Sequence, residues 1–192
     1  MDAGGKVLAL SGSIRSGSWN KRLLSEATRY LDGQGVPTLT VSLADHELPI
    51  YNGDVEASAG MPANGVRLRN LIAGSRALLI TTPEYNGSVT PLLKNVIDWT
   101  SRAYGSEPAT KIYQGKIVCL AGASQGDKGA LRGLSHLASV FMNMGAVVVP
   151  RFFGLSFVTR VMDDTGVFTD PKMRKSLETY LDSFIRILND AK

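Results

Sequence analysis

The stretch KVLALSGSIRSGSWN, residues 6–20, decides the fold. It opens on a short, almost continuously apolar run and then turns abruptly small and polar, with Arg15 the one charged side chain between residues 10 and 20. An apolar run without alternation fits a strand covered on both faces, as in a parallel sheet, because a half-exposed strand alternates. Four more short runs follow it: TLTVSL (38–43), ALLITT (77–82), KIVCLAGA (116–123) and AVVVP (146–150). The first, third, fourth and fifth are nearly continuously apolar.

Helical patterns separate these strands. NKRLLSEATRYLDGQG (20–35) puts Leu23, Leu24, Ala27, Tyr30 and Leu31 on one face and ends at Gly33 and Gly35. VRLRNLIAGS (66–75) supplies a second helix. PLLKNVIDWTSRAY (91–104) carries Leu92, Leu93, Val96, Ile97 and Trp99 at helical spacing, with Pro91 allowed in the first turn. GALRGLSHLASVFMNMG (129–145) leads into the fifth strand, and DPKMRKSLETYLDSFIRILND (170–190) closes the chain with Leu177, Leu181, Phe184, Ile185 and Leu188 inward. Strands alternating with helices require crossover connections and a parallel sheet. The expected architecture is therefore α/β: a doubly wound, five-stranded parallel sheet of order 2-1-3-4-5 with helices on both faces. Length and the lack of a repeat or dividing linker place residues 1–192 in one domain.

Composition excludes several functions. The 21 basic against 17 acidic residues are scattered, and PKMRK near residue 171 is too short for a nucleic-acid arm. No run approaches the roughly 20 apolar residues that span a membrane. The start, MDAGGKVLALSGS, is acidic at its second residue and too briefly apolar for a signal peptide, so a cytoplasmic location is expected. Cys119, the single cysteine, lies in an apolar run and reads as a buried small hydrophobe. His46 and His136 have no ligand partners at metal spacing, and no metal site is expected.

In a sheet of order 2-1-3-4-5, ligands bind beyond the carboxyl ends of strands one and three, where the chain direction reverses. Three loops converge there. The first, GSIRSGSWN, lies at a helix start, whose unpaired N–H groups and dipole attract an anion. Ser13, Ser18 and Asn20 offer donors and Arg15 a fork matched to phosphate. It lacks the Lys-Ser/Thr of a Walker A loop and the spacing of GxGxxG. Taken by itself, a helix capped by Ser18 beside a solvated Arg15 fits the loop equally well. The second, TTPEYNGSVTPLLKN, combines Pro83, Glu84, Tyr85, Asn86 and Gly87 in a rigid turn with exposed N–H groups, a carboxylate and a ring that suit a flat heterocycle. No Gly-x-Ser-x-Gly elbow supports a Ser/His/Asp hydrolase.

Together GSIRSGSWN and PEYNGSVTPLLKNVIDWTSR closely resemble the NADPH-dependent FMN reductase family, flavodoxin-like proteins that include quinone, chromate and azo-dye reductases. ELPIYNGDVEA and GASQGDKGALR match family segments in the same order, so the resemblance covers almost the whole chain. It implies tightly bound FMN, its phosphate on Ser13, Arg15, Ser18 and Asn20, and its ring on Pro83, Glu84, Tyr85, Asn86 and Gly87, with Ser124 and Gly126 at the ring edge. Gln125, Asp127 and Lys128 depart from the small residues or proline usual in that third loop. NADPH or NADH would be the co-substrate and a small molecule the electron acceptor, with no nucleic acid or membrane involved. Chemistry on the flavin N5 needs no catalytic side chain. A homodimer or homotetramer is implied as well. The rival reading is a flavodoxin-like electron carrier without turnover of its own, although the net charge of +4 is unlike the acidic surface such a shuttle often presents.

Overall fold

A computed structural model describes residues 3–191; Met1, Asp2 and Lys192, which the expected single unit includes, lie outside the described residues. Strands β1 (Val7–Ser11), β2 (Thr38–Val41), β3 (Ala77–Thr81), β4 (Ile117–Ala123) and β5 (Val147–Val148) form a parallel sheet of order β2-β1-β3-β4-β5. The expected order holds. Register runs Val7 opposite Thr38 and Ala77, and Ala77 opposite Ile117, so the strand ends that carry the three loops line up along one edge.

Both faces of β1, β3 and β4 are buried, which is why their sequences do not alternate. Leu8, Leu10, Leu78, Ile80, Val118 and Leu120 point to one core, packed by α3 (Ala63–Gly74), α4 (Pro91–Thr100) and α5 (Leu131–Asn143). Val7, Ala9, Leu79, Cys119 and Ala121 point to the other, under α1 (Trp19–Gly33) and α6 (Pro171–Asp190). Trp99 is fully buried, and its indole N–H donates to the Pro49 carbonyl at 2.7 Å. Cys119 has no exposed surface, and burial pushes its thiol up to about 12, the state of an inert thiol.

Two features differ from expectation. A short helix, α2 (Gly53–Ala59), follows Asn52, whose side chain accepts from the Asp54 N–H at 2.9 Å. None of its residues is buried, so it has no apolar stripe to betray it. The fifth strand is also broken. Only Val147–Val148 pairs as expected, with Ile117 and Val118, and Val147 is half-exposed rather than covered on both faces. A sixth strand, β6 (Phe153–Leu155), resumes the pairing against Ala121–Ala123, so the sheet has six strands rather than five. The cause lies between them: Pro150 has no N–H to give the ladder, and Arg151 sits in the left-handed region at φ +66°.

That break would strand the backbone of Leu120. Instead the Tyr180 hydroxyl, reaching from α6, donates to the Leu120 carbonyl at 2.8 Å and accepts from its N–H at 3.2 Å. One side chain thus replaces one residue of strand. Removing that hydroxyl leaves two buried backbone groups unpaired, at a cost of about 1–3 kcal/mol for such a loss. Tyr180→Phe is therefore expected to lower the urea midpoint by the equivalent of about 2 kcal/mol, with the fold retained by far-ultraviolet circular dichroism.

Candidate functional site

The three loops beyond β1, β3 and β4 meet in a cleft of about 190 Å³. It is lined by Ser13, Arg15, Ser18 and Asn20 from the first, Pro83, Glu84 and Tyr85 from the second, and Ser124 from the third. Asn86 and Gly87 lie at the tip of the second loop, and Gly126 forms the turn behind Ser124. Trp19 and Gln125 also line the cleft; sequence reasoning gave them no role, since neither belongs to a donor pattern.

The first loop reaches its position through Gly12. The Gly12 N–H donates to Thr81 at 2.7 Å, and its carbonyl accepts from the Thr90 hydroxyl at 3.0 Å. A Cβ there would stand 2.5 Å from the Thr82 hydroxyl oxygen, so only glycine permits this approach. Beyond it the chain opens. The N–H groups of Ser13, Ile14, Arg15, Ser16 and Gly17 donate to no other described residue, and neither do those of Trp19 and Asn20 in the first turn of α1. Ser13 is buried, yet its hydroxyl has no hydrogen-bond partner among the described residues. Arg15 is exposed and forms no ion pair among the described residues. Unpaired donors, a free hydroxyl and a free guanidinium at a helix start make an anion site.

Two residues of that loop have structural duties. Ser18 caps α1, its hydroxyl accepting from the Lys21 N–H at 3.4 Å. Asn20 is buried, and its carboxamide donates to the Ala123 carbonyl at 3.0 Å while accepting from the Ala123 N–H at 2.8 Å. Its own carbonyl takes the Thr81 hydroxyl at 2.8 Å. One amide hydrogen of Asn20 remains for a ligand.

The second loop is a hairpin. Tyr85 and Ser88 exchange N–H···O bonds of 3.1 and 3.0 Å around Asn86 and Gly87, whose φ values of 51° and 77° define a two-residue turn of the primed type. The Asn86 and Gly87 N–H groups donate to no described residue, and the Tyr85 ring is 46% exposed. The turn offers donors beside an open aromatic face.

Glu84 turns away from the cleft's mouth. Its carboxylate accepts from the Arg132 Nε at 2.8 Å and from the Gly133 N–H at 3.0 Å, in the first turn of α5. Burial would raise its pKa, but the Gly133 N–H and the Arg132 guanidinium outweigh that and hold the carboxyl below its usual value. Ser88 adds a second tie, its hydroxyl 3.1 Å from the His136 Nδ1 of α5. His136 therefore supports the hairpin. The third loop is likewise self-bonded: the Ser124 hydroxyl accepts from the Gly126 N–H at 3.0 Å, and Ser124 and Gly126 carbonyls accept from Val158 and Phe157. Ser124 keeps its hydroxyl proton for a ligand, whereas the Gly126 N–H is taken. Among the described residues no cluster of His, Cys, Asp and Glu could hold a metal.

The chain is similar to known proteins over nearly its whole length. The profile of a family described as NADPH-dependent FMN reductase matches residues 5–160. An NAD(P)H-dependent FMN reductase of Pseudomonas aeruginosa is 38% identical over 179 residues, covering 92% of this chain and 91% of that one. A quinone reductase of Escherichia coli is 31% identical over 189 residues, 97% of each. The solved structure of the flavoenzyme NAD(P)H:(acceptor) oxidoreductase FerB from Paracoccus denitrificans superposes with a TM-score of 0.82 at 30% identity, covering 97% and 98% of the two chains.

The Glu84 clamp has a pH signature. A carboxyl whose folded pKa is depressed contributes stability that is fully present above its unfolded pKa and lost as pH falls through the folded value. The unfolded reference here is 4.5. In urea titrations the stability gap between the parent and Glu84→Gln is expected to be constant from neutral pH down to that value and to close below it. A gap that stays constant into strong acid contradicts the clamp.

Proposed function

The chain belongs to the NADPH-dependent FMN reductase family, and we propose that its three-loop cleft binds one FMN, by the phosphate at Ser13–Ser18 and by the ring at the Tyr85–Ser88 hairpin. The protein is an FMN-dependent NAD(P)H oxidoreductase. What carries the placement is the run of unpaired N–H groups at residues 13–17, completed by the free Arg15 and the partnerless Ser13 hydroxyl. A phosphate monoester supplies the acceptors these groups lack. No step asks for a metal or a nucleophilic side chain.

When bound, FMN supplies a centre that accepts hydride from a nicotinamide and passes two electrons to an acceptor. The residues of this chain do the rest. The Asn86 and Gly87 N–H groups, fixed by the hairpin before any ligand arrives, would hold the edge of the heterocycle and stabilise negative charge there. Glu84 and Ser88 hold that hairpin on α5, so the donors keep their aim. Pro83 stiffens the approach to the turn, and Ser124 donates its hydroxyl proton from the opposite side. Asn20 keeps the first and third loops at a fixed separation and offers its spare amide hydrogen to the phosphate.

With FMN held in this shallow cleft, an exposed ring face would serve nicotinamide and acceptor in turn, and ping-pong kinetics would follow. Both NADPH and NADH fit this scheme, with FMN retained tightly between half-reactions. A quinone is the acceptor class favoured by relatives named quinone reductase; chromate and other small oxidants follow from the same open face. We place the enzyme in the cytoplasm, as a homodimer or homotetramer; no helix among the described residues is long and apolar enough to cross a membrane.

Arg15→Ala removes one charge-assisted contact, and its FMN dissociation constant is expected to rise by about tenfold or more, read by flavin fluorescence on reconstituting apoprotein. Unchanged FMN affinity puts the phosphate elsewhere. Anaerobic mixing of the yellow holoprotein with NADPH, then NADH, is expected to bleach the flavin band within minutes. A protein that keeps FMN but bleaches with neither is an electron carrier.

A further inference from the structure

A second concavity, of about 880 Å³, lies along the outer edge of the sheet where α6 crosses the break between β5 and β6. It shares no lining residue with the FMN cleft. Its size falls within the roughly 300–1,000 Å³ of small-molecule sites. The broken strand makes it: because pairing stops at Pro150 and resumes at Phe153, the sheet edge is recessed, and Tyr180 closes its floor instead of backbone. The Phe153 and Tyr180 rings stack there at 6.1 Å and 26°, with Ile187 beside them, whereas Phe152 packs on the core of the opposite sheet face.

Around this apolar floor the charge is one-sided. Arg151 stands on the rim at the break, Lys172 and Lys175 at the start of α6, and Arg186 near its end; Asp190 is the single lining carboxylate among the described residues. All four cations are exposed. Lys175 meets Glu178 at 3.4 Å, while Arg151, Lys172 and Arg186 have no ion pair among the described residues. Lys172 and Arg186 are fourteen residues apart on one helix, about 21 Å at 1.5 Å per residue. Between them Ser176, Thr179 and Ser183 line the wall.

We propose that this groove is a second ligand site, for a flat aromatic anion: a carboxylate or sulfonate on an apolar body of two or three rings. The floor takes the rings and the rim takes the charge. Both halves are needed. A polyanion without an apolar body leaves the half-buried Tyr180 and Ile187 surface in water, and a neutral hydrophobe leaves three cations unanswered. A two-fold contact with a second copy through this face would set four cations against four, which like-charge repulsion opposes. The site is independent of the FMN reading, because no residue is common to both.

The test uses FMN-saturated protein titrated with 8-anilinonaphthalene-1-sulfonate, an aromatic monosulfonate that fluoresces when its rings leave water. Saturation at one equivalent per chain is expected, weakened by about 0.5 M sodium chloride as screening requires. Lys172→Glu with Arg186→Glu is expected to weaken binding at least about tenfold, with FMN affinity and NADPH oxidation within about twofold of the parent. Ile187→Ala, which leaves the charges alone, is expected to weaken it about threefold to tenfold. The proposal is overturned if the charge-reversed protein binds the dye like the parent, if the dye binds only by releasing the bound FMN, or if hexaglutamate binds this groove and the dye does not.

Discussion

Two hydrogen bonds between the Asn20 carboxamide and the backbone of Ala123 hold the cleft together. They join the first turn of α1 to the end of β4, across β3, whose Thr81 hydroxyl completes the knot on the Asn20 carbonyl. Strand order alone separates the loops after β1 and β4 by one intervening strand and leaves a crevice above it. The Asn20 bridge fixes how wide that crevice is. All these groups are buried, where an amide pair is strong and a missing partner costly. A residue that looks like a ligand in the sequence is therefore mainly the gauge that sets the distance between two ligand-bearing loops.

The same division of labour runs through the site. Side chains that attract notice in the sequence are largely committed to the scaffold: Ser18 to the cap of α1, Glu84 to the start of α5, Ser88 to His136. Among the described residues, what stays free is mostly main chain, the N–H groups at residues 13–17 and at Asn86 and Gly87, joined by the Ser13 and Arg15 side chains. Backbone donors suit a cofactor that must be held in two redox states, because their positions are set by the fold and do not relax toward either state. Gly12 contributes by absence, since any side chain there would strike Thr82 and lift the first loop off the second.

Legibility in the sequence followed burial. β1, β3 and β4 were readable because both faces are covered and every residue had to be apolar. The parallel sheet followed from the alternation with helices, its order from an arrangement common to such sheets, and the three loops from that order. β5 was misjudged because AVVVP has the same composition as a buried strand, while its fate is decided by Pro150 and by the conformation of Arg151, which no local propensity announces. Helix α2 escaped for the opposite reason: it buries nothing, so it imposes no period. In the cleft, residue identity showed where donors were needed but not where each side chain would turn. The roles of Asn20 and Glu84 depend on Ala123 and Gly133, 103 and 49 positions away, and such pairings exist only once the sheet has formed.

The broken edge shows how one local irregularity reshapes a larger surface. A continuous fifth strand would satisfy Leu120 through backbone and leave Tyr180 without a task; the interruption transfers that duty to α6 and draws its tyrosine down into the sheet plane. Phe153 then stacks on the tyrosine ring, and the space that two residues of strand would have filled remains open between α6 and the rim at Arg151. Three of the four surrounding cations have no acidic partner among the described residues, a one-sided charge that a low-dielectric floor would focus. Charge and apolar surface are thus brought together there by the hydrogen-bonding failure of one proline, at a place that shares no residue with the three-loop cleft.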